Sequence, residues 1–265
     1  MRDWPLWCAM VSAGALLSSQ CLAQDEILDR TQLGAIADTV RHYKPKDLFD
    51  LPPAPPALSG KRFSYIVEPR QVGPQNEICE GFPHWGYWQK DTHYEVSAGN
   101  GDVRPHALRL INGPALKVDP KSKWDVFINF MSFSCDKRRL PSYTASNAFG
   151  GQVQIQHSHE TVTAIGFLAG DIWDKPDYWK KTAVGDEARH LATNVKVRVS
   201  GALSHWPDGR TLLCGSETGI TPSMSYPFDK EVDICLFAAK PERLEFFDAS
   251  TGEILYVANS KYGAQ

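Results

Sequence analysis

No loop in this chain advertises a reaction. G-x-x-x-x-G-K-S/T and G-x-G-x-x-G are both absent, so no glycine-rich turn is present to cradle a phosphate. G-x-S-x-G is absent too, which removes the strand-to-helix elbow that presents a serine nucleophile. There is no C-x-x-C, so thioredoxin-like chemistry and the common zinc spacing have no support. Without C-x-x-C-H, covalent c-type haem is excluded. Charge of one sign is also missing: the formal net charge is −3 over 265 residues. Such a surface carries no basic field for nucleic acid or for an anionic membrane. No motif asks for a cofactor, and no N-x-S/T acceptor site is present.

Long apolar runs are scarce. Leu6 to Leu17, LWCAMVSAGALL, is twelve residues, and a bilayer takes about 20. Cys21-Leu22-Ala23 follows, with small residues at the positions a signal peptidase reads. Residues 1–23 therefore read as a cleavable signal, with Gln24 at the mature end and a periplasmic or secreted home. A lipoprotein reading would acylate Cys21, but Gln20 stands where a small residue is wanted. After cleavage no membrane span is expected.

Six cysteines are present, and Cys8 and Cys21 leave with the signal. Cys79, Cys135, Cys214 and Cys235 remain. An even count in an exported chain reads as two disulfides. Cys79–Cys135 and Cys214–Cys235 are preferred because each joins neighbouring stretches. The alternative is that a pair stays as buried thiols.

Residues 24–60 form the first segment of the mature chain. Asp25 to Tyr43 predicts a helix capped by Asp25, with Leu33, Ile36, Ala37, Val40 and Tyr43 on one stripe. Residues 44–60 carry five prolines and read as a stiff spacer or strap. A helix that cannot bury its stripe alone suggests an envelope protein partner.

From residue 61 to 265 the period changes to two. Phe63, Tyr65 and Val67 alternate with polar neighbours. Trp124, Val126, Ile128 and Phe130 form one face of a strand whose other face carries Phe127, Met131 and Phe133, so it belongs inside a sheet. Val195, Val197 and Val199 define a strand with one wet face, and Val232, Ile234, Leu236 and Ala238 another. WPDG at Trp206 to Gly209 is a turn. The fold class is mainly β: an antiparallel sandwich or barrel-like core with an N-terminal helix. A division into two β modules near 141–151 is open. DASTGEILY, Asp248 to Tyr256, is similar to the D-x-x-T-G-E stretch of quinoprotein-type β-propeller blades. It occurs once, where a propeller repeats it every ~40–50 residues, so it reads as a hairpin turn with Gly252 at positive φ.

Three clusters are candidate sites. FPHWGYW, Phe82 to Trp88, offers Trp85, Tyr87 and Trp88 as a stacking surface for a flat ligand, or as a plug beside Cys79. DIWDKPDYW sets Asp171, Asp174 and Asp177 between Trp173 and Trp179. Carboxylates among aromatics suit a glycan cleft, with one acid and one anion, and equally suit a solvated loop. In QIQHSHE, His157 and His159 share one side of a strand and could reach one metal, while Glu160 points the other way. Two readings follow. One is an exported binding or accessory module. The other is a glycan- or ester-directed hydrolase using the Asp/Trp cleft.

Overall fold

The computed structural model describes residues 27–44, 57–73, 78–117, 127–168, 172–217, 222–223, 225 and 227–261. The expected signal, its cleavage site, Asp25, Trp124, Val126, Asp171 and most of the proline-rich spacer lie outside the described residues.

The N-terminal helix, α1 (Arg30–Arg41), starts later than the expected Asp25 and is capped by Asp29. The Asp29 carboxylate accepts the Gln32 N–H, and the Gln32 side-chain oxygen accepts the Asp29 N–H, each at 2.8 Å. Leu28 is thereby left extended and bridges to Phe63. Leu33, Ala37 and Val40 are buried, and Ile36 packs against the same core. The stripe offered to an envelope partner is thus used inside the chain. The Arg41 guanidinium fastens the helix by donating to the Val162 carbonyl and the Thr163 hydroxyl, both at 2.8 Å.

The rest is mainly β, in two mixed sheets. The larger runs β1 (Arg62–Val67), β10 (Val195–Leu203), β12 (Phe228–Asp248), β8 (Gln152–Phe167), β7 (Ile128–Ser146) and β5 (Gly101–Val103). Beside this path, β11 (Leu212–Glu217) pairs with β12 and with β6 (Leu108–Leu110), and β13 (Ile254–Asn259) pairs with β12. The smaller sheet is β2 (Arg70–Gln71), β3 (His84–Trp88), β4 (His93–Ser97) and β9 (Tyr178–Thr182).

The expectation of an antiparallel sandwich or barrel holds only in part. The central β8–β12 pair is parallel, as is β2–β3. Period-two alternation carries no information about strand direction, so the sequence pattern could not reveal this. Nor does the sheet close. Tyr65 on β1 reaches Phe133 on β7, ring centroids 5.0 Å apart, yet among the described residues these strands share no ladder.

β12 is 21 residues long. Its first half pairs with β11 and β8, its second with β10 and β13. Between them a bulge sets Ser200 opposite Arg243 and Gly201 opposite Pro241, which lets a proline sit in a central strand. Gly201 is required there: a Cβ would lie 2.3 Å from the Lys240 carbonyl oxygen. The β12–β13 turn is the DASTGE hairpin, with Gly252 at φ 76°.

β7 and β8 form one hairpin, paired from Asn129↔Phe167 to Ser146↔Gln152. Residues 141–151, where a joint between modules was open, make its far end. That end is an arm exposed on most positions, with Phe149 at its tip 96% exposed. Two disulfides are formed, Cys79–Cys135 and Cys214–Cys235. The first ties the loop before β3 to β7. The second joins register partners on β11 and β12, with Cα atoms 4.1 Å apart. A second helix, α2 (Asp186–Asn194), precedes β10. Among the described residues no helix is long and apolar enough to cross a membrane.

Candidate functional site

The aromatic candidates are mostly packed. Trp85, Val96 and Trp179 are neighbours across β3, β4 and β9, so they share one face of the small sheet. Tyr94 joins them from the same face, with Trp85 at 5.7 Å and Trp179 at 6.3 Å between ring centroids. Tyr87, on that side too, donates to the Ala183 carbonyl at 3.1 Å. Trp173 is buried and bridges to Ser260. Trp88 alone stays largely open, stacked on His93 at 4.9 Å over Gly86.

The aspartates sit elsewhere. Asp174 is exposed and accepts the Asn259 N–H at 2.7 Å. It lines a cavity of about 460 Å³ with Asp177, Trp173 and Lys175. No residue of FPHWGYW lines that cavity. A larger cavity takes Phe82 and His84 but nothing from DIWDKPDYW. The two segments meet as strands of one sheet rather than as walls of one cleft.

His157 and His159 do share a face of β8, and carboxylates of β12 answer them. His159 Nε2 lies 3.0 Å from Asp233, and His157 Nε2 lies 3.3 Å from Glu231. Among the described residues no group of three or more His, Cys, Asp or Glu is placed to hold a metal ion.

The other face of the same strand builds a different site. Partners across a ladder point to the same side. Leu108, Glu217, Val232, Glu160 and Lys137 therefore form one row across β6, β11, β12, β8 and β7. Over this floor opens the larger cavity, about 1000 Å³. The loop Ile78–Phe82, held to β7 by Cys79–Cys135, makes one wall. The base of the arm, with Ser142, Gln154 and Gln156, makes another.

Glu160 lies at the bottom, its side chain 2% exposed. One oxygen, Oε1, accepts from Lys137 Nζ at 2.9 Å. The other, Oε2, has no hydrogen-bond partner; Lys230 Nζ lies 3.8 Å away. Lys230 donates instead to Glu80 at 3.2 Å, and Glu80 also accepts the Asp102 N–H. Burial pulls the Lys230 ammonium toward neutrality, but the carboxylates of Glu160 and Glu80 outweigh it and hold the pKa above its ordinary value. Burial raises the Glu217 carboxyl; Lys230 opposes this, while Glu80, Asp102 and Glu160 add to it.

No family model, curated protein or solved structure matches this chain. The site is therefore read from its own chemistry. A buried acceptor left idle costs about 1–3 kcal/mol, and a ligand that donates to Glu160 Oε2 removes that cost. The sequence signal for it was slight: Glu160 is the residue of QIQHSHE that faces away from the histidines. Its burial depends on a loop some 80 residues earlier and on Lys230 some 70 residues later, both far away in the chain.

Proposed function

We propose that the chain is an exported binding protein whose ligand enters the cleft over Glu160. The carrying observation is the deeply buried carboxylate with one oxygen lacking a hydrogen bond at the base of a cavity of about 1000 Å³. That volume is the size of a small-molecule or oligomer site. Export is supported by the signal-like residues 1–23 and by two disulfides, which persist in oxidising compartments. The periplasm or the medium is the expected home. A partner role for α1 has less support, because its apolar side faces the core.

The hydrolase alternative, built on Asp171, Asp174 and Asp177, also has less support. Asp174 is engaged by a backbone N–H, and Trp85 and Trp179 pack within a sheet. A thermal-shift panel of sugars, amino acids, organic acids and short peptides tests the binding reading. At least one class should raise the Tm of the wild type and leave E160Q unmoved. If no class does so, the reading falls. Export is checked separately, by finding Gln24 at the N-terminus of the processed protein.

A further inference from the structure

The cleft does not end at the body of the protein. It continues up one face of the β7–β8 arm, and the residues there are of one kind. Gln152, Gln154, Gln156 and Ser158 alternate along β8 on the side that Glu160 faces. Thr144 and Ser146 stand directly opposite Gln154 and Gln152, on the same side. Ser142 lines the cleft beside them. Every one of these side chains is uncharged, and each offers both donors and acceptors. From Gln152 to Glu160 the strip is about 26 Å long.

Resting on the cleft reading above, we infer that the ligand is a neutral oligosaccharide. It lies along this amide and hydroxyl strip with one end donating a hydroxyl to Glu160 Oε2. Along the arm from Gln152 to Gln156 an ionic polymer would find no counter-charge; Arg139 and Lys230, opposite Ser158, begin the charged part of the cleft. Within the cleft Glu160 is paired with Lys137 and Glu80 with Lys230, so acids and bases largely neutralise one another and neither sign of ligand charge is called for. An apolar ligand would leave the amides unpaired. A polyhydroxylated chain answers the whole surface, because vicinal hydroxyls donate and accept as the amides do. Phe228, 42% exposed at the cleft wall, adds an aromatic face of the kind sugar rings pack on. An extended peptide would instead add to the backbone edge of the arm and would not read this side-chain face.

Calorimetric titration of the mature protein decides the point. The probes are maltohexaose, cellohexaose and the hexamer of N-acetylglucosamine, beside a chitosan hexamer, an oligogalacturonate hexamer and a pool of decapeptides. At least one neutral hexamer should bind. Glu160→Gln should weaken it about tenfold or more, and so should the exposed double variant Gln154→Ala/Gln156→Ala. The double variant should keep the wild-type Tm, which guards against a mere folding defect. Failure of all three neutral hexamers overturns the saccharide assignment, as does binding that ignores the double variant. If only a charged hexamer or a peptide binds, and E160Q abolishes it, the cleft reading stands and the saccharide assignment falls.

Discussion

Lys137 and Glu160 face each other across the β7–β8 ladder, Nζ to Oε1 at 2.9 Å, with the carboxylate almost wholly out of water. Removing one member of such a pair leaves an uncompensated buried charge, worth about 3–5 kcal/mol where both members are fully buried. Lys230 stays within 3.8 Å of Glu160 and softens the loss. Lys137→Met should therefore destabilise by about 2–3 kcal/mol. The double variant with Glu160→Gln should cost clearly less than the sum of the singles. Urea denaturation of the four proteins measures both quantities.

The Asp248 carboxyl is held well below the usual carboxylate range by its neighbours. It accepts from the Ser250 hydroxyl at 2.6 Å, from the Ser250 backbone N–H and from His190 Nε2 at 2.5 Å. Led by the Ser250 bond, these hold its pKa down to about 2. A depressed carboxyl stabilises the fold above its unfolded pKa, ~3.9, and that contribution disappears as pH falls toward 2. Asp248→Asn should flatten the loss of stability between about pH 4 and 2, read as urea midpoints against pH.

Glu217 works with the opposite sign. Its carboxyl is raised by burial, so the folded state favours the protonated form. Ionisation costs stability above the folded pKa, and the cost is relieved as pH falls toward the ordinary glutamate value. Glu217→Gln should raise Tm at pH 7 and lose that advantage near pH 4, within the ordinary glutamate range of ~4.3. Paired thermal melts at the two pH values check it.

The N-terminal helix belongs to the core. Leu33 is fully buried on the stripe, and Leu33→Ala should cost about 2–5 kcal/mol in urea unfolding. Deleting residues 24–44 should abolish the cooperative transition. A truncated chain that still unfolds cooperatively would show that the β sheets stand without the helix.

What the sequence revealed was local. Val195, Val197 and Val199 announced a half-wet strand, and all three are buried. Gly252 announced a turn because only a positive φ closes it. The arm was not legible, and residues 141–151, which begin with Pro141, left a division into modules open. Pro141 lies at the register shift between Leu140 and Tyr143, where a proline removes no ladder bond. Trp85 and Trp179 looked like ligand platforms because large aromatics serve cores and clefts equally. Glu160 faced the right way on paper. The loop and the lysines that make it a site come from segments whose proximity no spacing rule encodes.

Helix α1 packs against β11, β1 and β7, and the Ala37 carbonyl lies 3.8 Å from the Cys235 sulfur. The ribosome delivers that helix well before the strands bearing Cys214 and Cys235. Until then its apolar side is covered only in part, by β1 and β7. That side of the nascent chain must wait, partly uncovered, for β11. Native packing of α1 thus follows synthesis of β11, and a holdase that shields residues 30–41 in the interval should raise the yield of native material.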